Sequence, residues 1–167
     1  MFLSIWRINK ELMPTVAEII RSNFDLYKDF ISQKDISEYL VDQNWIERNY
    51  NLREFYLLKY QTEFFGTFSF QKLNEYAYIG YFFIKNGYHR RGFGSFILKY
   101  IEIKARTENL NKIILLVHPE AYFAVNFYKK HNFGIIETNK KRILEFENGL
   151  LKDFYEEGSI LMCKNLK

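Results

Sequence analysis

A short segment rich in glycine and arginine carries the clearest chemical signal in this sequence. Residues 87–95 read Gly-Tyr-His-Arg-Arg-Gly-Phe-Gly-Ser and lie between an apolar run and a region with helical periodicity. Gly92 and Gly94, one residue apart, allow the backbone to approach a ligand closely with its N–H groups turned inward. The following helix would add partial positive charge at its N-terminus, and Arg90 and Arg91 add full charges. The segment therefore predicts a binding site for a phosphate or diphosphate group.

Two familiar nucleotide-binding loops do not fit this segment. A Rossmann fingerprint requires Gly or Ala at position 97, where Ile97 stands, and an acidic residue after a second strand. A P-loop that begins at Gly87 requires Lys and then Ser or Thr where Phe93 and Gly94 stand. Neither nucleotide motif is present.

The segment resembles the acetyl-CoA site of the GNAT acetyltransferase superfamily. The family motif Q/R-x-x-G-x-G/A ends the fourth strand and opens the third helix, and residues 89–94 here read His-Arg-Arg-Gly-Phe-Gly. A second family block, A-x-x-(F/L)-Y-x-K-x-G-F, follows the fifth strand. Residues 124–133 are similar to it, reading Ala-Val-Asn-Phe-Tyr-Lys-Lys-His-Asn-Phe. The two blocks are about as far apart as in the family, and the predicted elements follow the family order over essentially the whole chain.

The resemblance implies acetyl-CoA as co-substrate, laid along a predicted strand at 76–84, and no metal. The pantetheine arm would pair with the backbone of that strand, and the diphosphate would lie on the N–H groups of the loop. In the family the fourth and fifth strands splay apart to admit the cofactor, and a backbone N–H stabilises the oxyanion that forms. The cofactor-binding residues implied in this way are Phe82, Phe83, Ile84, His89, Arg90, Arg91, Gly92, Phe93, Gly94, Ser95, Ala121 and Tyr128.

Three departures from the family pattern are visible. His89 stands in place of Gln or Arg, Ala121 stands where many members have Asn, and Asn132 replaces a Gly. The first two weaken or remove side-chain contacts with the cofactor but leave the backbone cradle intact. Asn tolerates a left-handed turn better than other non-glycine residues, so Asn132 is expected to end its helix in that conformation.

The resemblance also assigns a general acid. Tyr128 matches the family tyrosine that protonates the leaving thiolate, and a phenol with a pKa near 10 is able to donate to a thiolate whose acid has a pKa of about 8.5. The alternative is that Tyr128 is one more core aromatic in a chain with 17 Phe and 13 Tyr.

The general base is less well defined. Family members often carry Glu on the fourth strand, whereas this strand offers Gly80, Tyr81 and Phe82. Glu75, just before the strand, is the candidate base, acting through water, and a solvated turn residue is the alternative. His118 and His131 are interpreted as structural.

The expected activity is transfer of an acetyl group from acetyl-CoA to a primary amine of a small molecule or protein by direct attack. An acyl-CoA-binding regulatory module without turnover is the alternative on the same fold. A nucleic-acid binder is disfavoured because the basic residues cluster in one loop and do not form an extended stripe. The acidic segment 25–48, with six Asp and Glu against three Lys and Arg, corresponds in the family to the roof of the acceptor site. The family contains many dimers, which leaves a homodimer open.

Composition and periodicity describe the scaffold that must position these residues. The chain has 167 residues, 48% of them hydrophobic, which predicts a single globular domain over 1–167. There is no apolar run of membrane-spanning length, and the N-terminus alternates instead of forming a signal sequence, so no membrane partner is expected. One cysteine, Cys163, gives no disulfide framework, and a cytoplasmic location is expected.

The predicted elements alternate in type. Four helices are predicted. The first begins at Pro14, and the second begins at a capping box of Asp35 and Glu38 and continues through Trp45. The third follows residues 87–95 (the glycine loop), with Phe96, Ile97, Tyr100 and Ile101 turned inward, and the fourth begins at Pro119. The strand–helix–strand step at 77–118 predicts a parallel crossover. The fold class is therefore α/β (α+β), and the resemblance implies a mixed, mostly antiparallel sheet of about seven strands with helices on both faces. The predicted strands are 2–8, 53–59, 64–70, 76–84, 112–118, 133–137 and 159–164.

Overall fold

A mixed sheet forms the centre of the molecule in the computed structural model, which describes residues 2–167 apart from the side chains of Ser37 and Glu38. Within those residues the sheet has seven strands in the order β1-β2-β3-β4-β5-β7-β6, and every neighbouring pair is antiparallel except β4 and β5. The predicted fold class and the parallel crossover are confirmed. The strands are β1 (Leu3–Arg7), β2 (Glu54–Tyr60), β3 (Glu63–Leu73), β4 (Tyr76–Ile84), β5 (Lys112–Val117), β6 (Gly134–Glu137) and β7 (Ile160–Asn165).

Helices cover both faces of this sheet. On one face α5 and α6 pack with the sheet in a single apolar cluster, and on the other α1 and α4 form a second cluster while α7 belongs to a third. The burial of these amphipathic faces is the main source of helix stability. The helices are α1 (Met13–Arg21), α2 (Phe24–Tyr27), α3 (Ile36–Leu40), α4 (Gln43–Leu52), α5 (Phe93–Thr107), α6 (Tyr122–Lys130) and α7 (Lys140–Glu145).

The two parallel strands separate soon after they meet. They pair only where residues 76–78 lie beside residues 112–114. Beyond that point β4 continues to Ile84 and β5 to Val117 without pairing to each other. The expected splay of the fourth and fifth strands is therefore present, and it opens a gap in the middle of the sheet.

A bulge in β4 lies beside this gap. Ser69 of β3 is opposite Gly80, whereas Thr67 is opposite Phe83, so β4 contains one residue more than its partner over this stretch. Tyr81 has a positive φ of 44°, which is unusual for a residue other than glycine. Bulges bend a strand and redirect its side chains, and this one lies where the strand borders the gap.

The helical region before β2 differs from the prediction. The single helix expected after Asp35 is two helices, because Val41 has a positive φ of 46° and ends the first of them. Asp42 then caps α4, its Oδ1 accepting the backbone N–H of Trp45 at 2.8 Å. The predicted capping box depends on the Glu38 side chain, which lies outside the described residues.

The later helices also differ from the prediction at three places. Phe96 is exposed, not buried, because α5 begins at Phe93 and turns Phe93, Ile97 and Leu98 inward. Pro119 lies in the turn before α6, which begins only at Tyr122. The segment between the last two strands, for which no element was predicted, contains α7.

Asn132 does adopt the left-handed conformation expected of it, with a φ of 68°. No helix within residues 2–167 is long and apolar enough to cross a membrane.

Candidate active site

A cavity of about 880 Å³ lies in the gap between the splayed strands. One end is bordered by the end of β4, the glycine loop and α6. The other end is bordered by residues from parts of the chain that are far apart in sequence: α2 and α3 with the segment between them, Arg53 just before β2, and the segment before β7. The cavity is of the size typical of ligand sites. The cofactor-binding residues of the prediction that line it are Phe82, Phe83, Ile84, His89, Arg90, Gly92, Gly94, Ser95 and Tyr128.

The glycine loop exposes backbone donors to this cavity. Arg90 and Gly92 have positive φ values of 59° and 81°, so the chain reverses direction immediately before α5. Gly92 is the N-cap of α5, and Phe96 is the first residue of the helix whose N–H bonds back to it. The N–H groups of the first helical turn are therefore available to a ligand, and the helix dipole favours an anionic one.

Gly92 and Gly94 are needed for different reasons. A Cβ at Gly92 would meet nothing within 4 Å, so its requirement is the positive φ. A Cβ at Gly94 would lie 3.0 Å from the ring of Phe127 and 3.7 Å from Ile84. Any side chain at position 94 would therefore push against α6 on the opposite wall of the cavity.

His89 ties the loop to the end of β4. Its Nε2 lies 2.6 Å from the carbonyl oxygen of Ile84, which also accepts a hydrogen bond from the side chain of Asn23 at 3.0 Å. Because a carbonyl only accepts, Nε2 must carry the proton. The side chain of His89 thus positions the loop by a contact within the protein.

The charges of the loop are distributed unequally. Arg90 lines the cavity together with Lys130 from the end of α6. The side chain of Arg91, also predicted to bind the cofactor, does not line the cavity, and its guanidinium lies 5.2–5.6 Å from the ring centroids of Tyr60, Tyr88 and Phe93. Cation–π contacts of this kind hold Arg91 against the loop's outer surface.

Two other predicted cofactor residues contribute no side chain to the cavity. Phe93 is 7% exposed, with its ring 4.5 Å from that of Phe65 in the core. Ala121 is fully buried, and its N–H is bonded to the carbonyl of His118. Their side chains serve packing, so any contact with a cofactor would have to come from backbone atoms.

Tyr128 lies on the cavity wall opposite β4. It is 8% exposed, and its ring contacts those of Phe82 and Phe133 at 6.3 Å and 5.4 Å. Its hydroxyl forms no hydrogen bond with the part of the chain that the structure describes. Burial raises the pKa of Tyr128 well above its usual range, so the hydroxyl remains protonated at the edge of the cavity.

Glu75 lies away from this site. It is exposed in the turn before β4, where its carboxylate accepts a hydrogen bond from Asn111 at 3.3 Å. Ile84 and the loop are at the opposite end of the same strand, and nine residues of a strand extend about 30 Å. Glu75 does not line the cavity, and the geometry does not support its prediction as the base.

His118 lines the cavity as well, although it was expected to be structural. Its Nδ1 accepts the N–H of Glu120 at 3.2 Å, and its ring stacks on Phe30 at 4.8 Å. Burial lowers the pKa of His118, which favours the neutral ring with its proton on Nε2. The nitrogen with a free lone pair is thus already in use, which argues against His118 as a base.

The end of the cavity away from the glycine loop contains four functional candidates that were not predicted. Tyr27, Tyr39, Arg53 and Glu156 all line it. Burial raises the pKa of both tyrosines, and the nearby charge of Glu156 raises it further. They come from four separate segments, and no local motif in the sequence connects them.

A comparison with protein-family models gives the class of protein that this fold and cavity define. Residues 16–133 match the model described as the acetyltransferase (GNAT) family. The match covers most of the chain, and the chain belongs to this family. Membership supports acetyl transfer as its general reaction. A comparison with curated proteins finds no matching sequence.

Solved structures share the fold at low sequence identity. PaiA N-acetyltransferase from Thermoplasma acidophilum, in complex with coenzyme A, has a TM-score of 0.78 at 17% identity over 99% of both chains. A GNAT family acetyltransferase from Elizabethkingia anophelis with acetyl-CoA bound has a TM-score of 0.59 at 21% identity, over 74% of this chain and 83% of that one. N-acetylglutamate synthase from Neisseria gonorrhoeae, complexed with coenzyme A and N-acetyl-glutamate, has a TM-score of 0.72 at 15% identity. That match covers 100% of this chain but only 36% of the synthase.

Proposed function

We propose that this protein transfers an acetyl group from acetyl-CoA to a primary amine by direct attack. The observation that carries the proposal is the coincidence of three features in one cavity. The glycine loop presents backbone donors, β4 leaves its edge unpaired beyond Tyr78, and the protonated hydroxyl of Tyr128 lies nearby. Similar structures with coenzyme A or acetyl-CoA bound support acetyl-CoA as the donor.

The loop end of the cavity suits the diphosphate of coenzyme A. Donors at the start of α5 would bind its oxygens, and Arg90 and Lys130 would supply positive charge. The pantetheine arm would take the place of a strand along the unpaired edge of β4, next to Phe82 and Phe83. Backbone groups that no other strand satisfies are then satisfied by the ligand.

Tyr128 acts in this proposal as the general acid. The acceptor nitrogen forms a bond to the acetyl carbon, and the bond from that carbon to sulfur breaks. The thiolate takes a proton from the Tyr128 hydroxyl, and water returns a proton to the phenolate. Burial keeps the Tyr128 phenol in its acid form but also makes it a weaker acid, so the transfer requires the negative charge that develops on sulfur as the bond breaks.

The proton of the acceptor amine leaves to water. Asp35, one of the carboxylates on the cavity wall, already accepts the hydroxyl of Ser32 at 2.7 Å and the N–H of Glu157 at 3.1 Å. Glu157 is in turn paired with Lys140 at 2.7 Å. Asp35 and Glu157, two of the three carboxylates on the wall, are thus already paired, and the third, Glu156, acts on the hydroxyls of Tyr27 and Tyr39. The proposal therefore takes the solvent as the proton acceptor.

The test is an assay of thiol release with acetyl-CoA and a panel of primary amines, with mass spectrometry of the products. We expect thiol release that depends on the amine, and an acetylated product in equal amount. Tight coenzyme A binding without thiol release for any amine would instead identify a regulatory module on the same fold. Calorimetric titration with coenzyme A separates that outcome from a failure to bind.

A further inference from the structure

Arg53 is a buried cation on the wall of the cavity. It follows α4 directly, is 8% exposed, and lines the end of the cavity away from the glycine loop, the acceptor end. Its guanidinium lies 4.6 Å, 4.9 Å and 5.6 Å from the ring centroids of Tyr81, Phe154 and Tyr78. Its Nε donates to the side-chain oxygen of Asn49 at 3.3 Å. A charged side chain has thus been brought into an aromatic environment at the place where a substrate would bind.

The immediate neighbours of this guanidinium are neutral. They are an amide, a tyrosine hydroxyl and aromatic rings, and Arg53 takes part in no ion pair formed within the described part of the chain. Removing a charge from water is costly unless a counter-charge compensates it. Aromatic rings interact with the faces of a guanidinium, whereas its N–H donors lie in the plane and match the two oxygens of a carboxylate.

The strand beside Arg53 is shaped to admit it. A Cβ at Gly80 would lie 2.6 Å from Nη1 of Arg53, so any residue other than glycine would displace the guanidinium. Gly80 immediately precedes the bulge at Tyr81. In the sequence, Gly80 is notable only because it stands where family members often carry a catalytic carboxylate. In the folded chain, Gly80 provides the space for a cation.

Negative charge borders the same end of the cavity. Glu156 is half-buried there, and it lines, together with Arg53, both this cavity and a smaller pocket beside it. A cation and an anion on one cavity wall suit a ligand that has both charges. A zwitterion fits this description, and a simple amine or polyamine does not use the cation.

We infer that the acceptor is a small primary amine that carries a carboxylate on the same molecule, in the simplest case an α-amino acid, with its carboxylate bound by Arg53. This inference rests on the proposed acetyl transfer and names the substrate class. The ammonium end then lies toward Glu156 and, once deprotonated, attacks the thioester. An amine within a protein chain or a polyamine lacks the carboxylate that Arg53 would bind.

The experiment compares acceptors that differ only in the carboxylate. Phenylalanine with phenethylamine, tyrosine with tyramine, and lysine with cadaverine are matched pairs related by decarboxylation. For the wild type we expect kcat/KM to be at least about 100-fold higher for one or more of the amino acids than for its partner. In Arg53→Met this preference should fall by at least about 30-fold. Comparing the same ratio in the wild type and in the variant cancels differences in the nucleophilicity of the amines.

Two further variants keep the result interpretable. Gly80→Ala retains the arginine but displaces it, and should raise KM for the carboxylated acceptor more than it lowers kcat. Arg7→Gln removes an exposed arginine paired with Glu54 on the outer part of the sheet, and should leave the preference unchanged. If Arg53→Met does not fold, which circular dichroism would show, Gly80→Ala and Arg53→Lys carry the comparison.

Binding measurements separate this inference from the proposed function. Titration of each acceptor into the protein saturated with coenzyme A reports recognition without turnover. Binding of amino acids that is lost in the Arg53 variants, with no thiol release, would support the acceptor class and refute acetyl transfer. Thiol release with the decarboxylated amines at equal or higher efficiency, unaffected by Arg53 variants, would support the transfer and overturn the inference.

Discussion

The two ends of the cavity are built in different ways. The loop end is made mainly from the backbone of one continuous segment, residues 87–95, with glycines where a side chain or an ordinary φ is excluded. The acceptor end is made from side chains that four separate segments contribute, among them Arg53 and Glu156. A site built from backbone N–H groups keeps its preference for a diphosphate when side chains change. A site built from side chains changes its ligand when one of them is substituted. One end is suited to an invariant co-substrate and the other to a particular acceptor.

The largest expected effect is the loss of turnover when the hydroxyl of Tyr128, which lies between the two ends of the cavity, is removed. Tyr128→Phe keeps the ring and removes the proton, so kcat should fall by roughly 10²–10⁴-fold while coenzyme A affinity is nearly unchanged. Steady-state thiol release and calorimetric titration measure the two quantities. The matched control is Tyr122→Phe on the same helix, which removes a hydroxyl that is exposed to solvent. Equal turnover in both variants would show that the thiolate is protonated by water.

The pH dependence separates the acid from the acceptor. The raised pKa of Tyr128 means that its folded acid form persists through the alkaline range, so it produces no fall in rate there. The acceptor amine reacts only when deprotonated, and kcat/KM should therefore rise about tenfold per pH unit below the amine pKa, and so by roughly 100-fold from pH 7 to pH 9. Glu75→Gln should have the same profile. A plateau near pH 7 that this variant abolishes would instead identify Glu75 as a base.

At the loop end, Gly94→Val should weaken coenzyme A binding by roughly 10–100-fold. The new side chain would meet the ring of Phe127, and overpacking of this kind typically costs about 1–3 kcal/mol. The matched control is Gly134→Val, since a Cβ at Gly134 meets nothing within 4 Å and its φ is an ordinary one. Unchanged affinity in Gly94→Val would contradict the placement of coenzyme A on this loop.

The smallest effects should distinguish the two arginines of the loop. Arg90→Gln should weaken coenzyme A binding by about 2–5-fold at low salt and by less at high salt, because Arg90 is exposed on the cavity wall. Arg91→Gln should leave the affinity within about twofold and lower the melting temperature, because its guanidinium packs on three rings. Affinity and melting curves measured on both variants test this assignment, and the reverse pattern would show that Arg91 turns toward the ligand.

The same contrast explains what the sequence was able to predict. The loop was recognisable because glycines, cations and the start of a helix are adjacent in the chain, and their effect depends on local backbone conformation. The positions of the strands along the chain were predictable for the same reason, since apolar runs and turns alternate regularly. Ile97 and Ile101 are buried as predicted, but Phe96 and Leu98 flank Ile97 on opposite sides of the helix. Both are apolar, so periodicity did not decide between them, and packing against the sheet buries Leu98.

The acceptor end had no comparable signal. Arg53 and Glu156 are more than a hundred residues apart and share the cavity only after the sheet has formed. Glu75 looked suitable because it is next to β4 in sequence, yet proximity along a strand does not determine which end of the strand borders the cavity. The break at Val41 depends on a positive φ that valine rarely adopts, so tertiary packing, not local preference, determines it.

The short pairing between β4 and β5 has a consequence for how the molecule opens. Residues 76–78 and 112–114 are the only pairs that join the strands β1–β4 to the strands β5–β7 within the described chain. In its backbone hydrogen bonds the sheet thus consists of two units that share a narrow seam, and amide protons along that seam should exchange faster than those inside either unit. A ligand that bridges the seam binds both units only while they are folded together, and so couples their unfolding into a single transition.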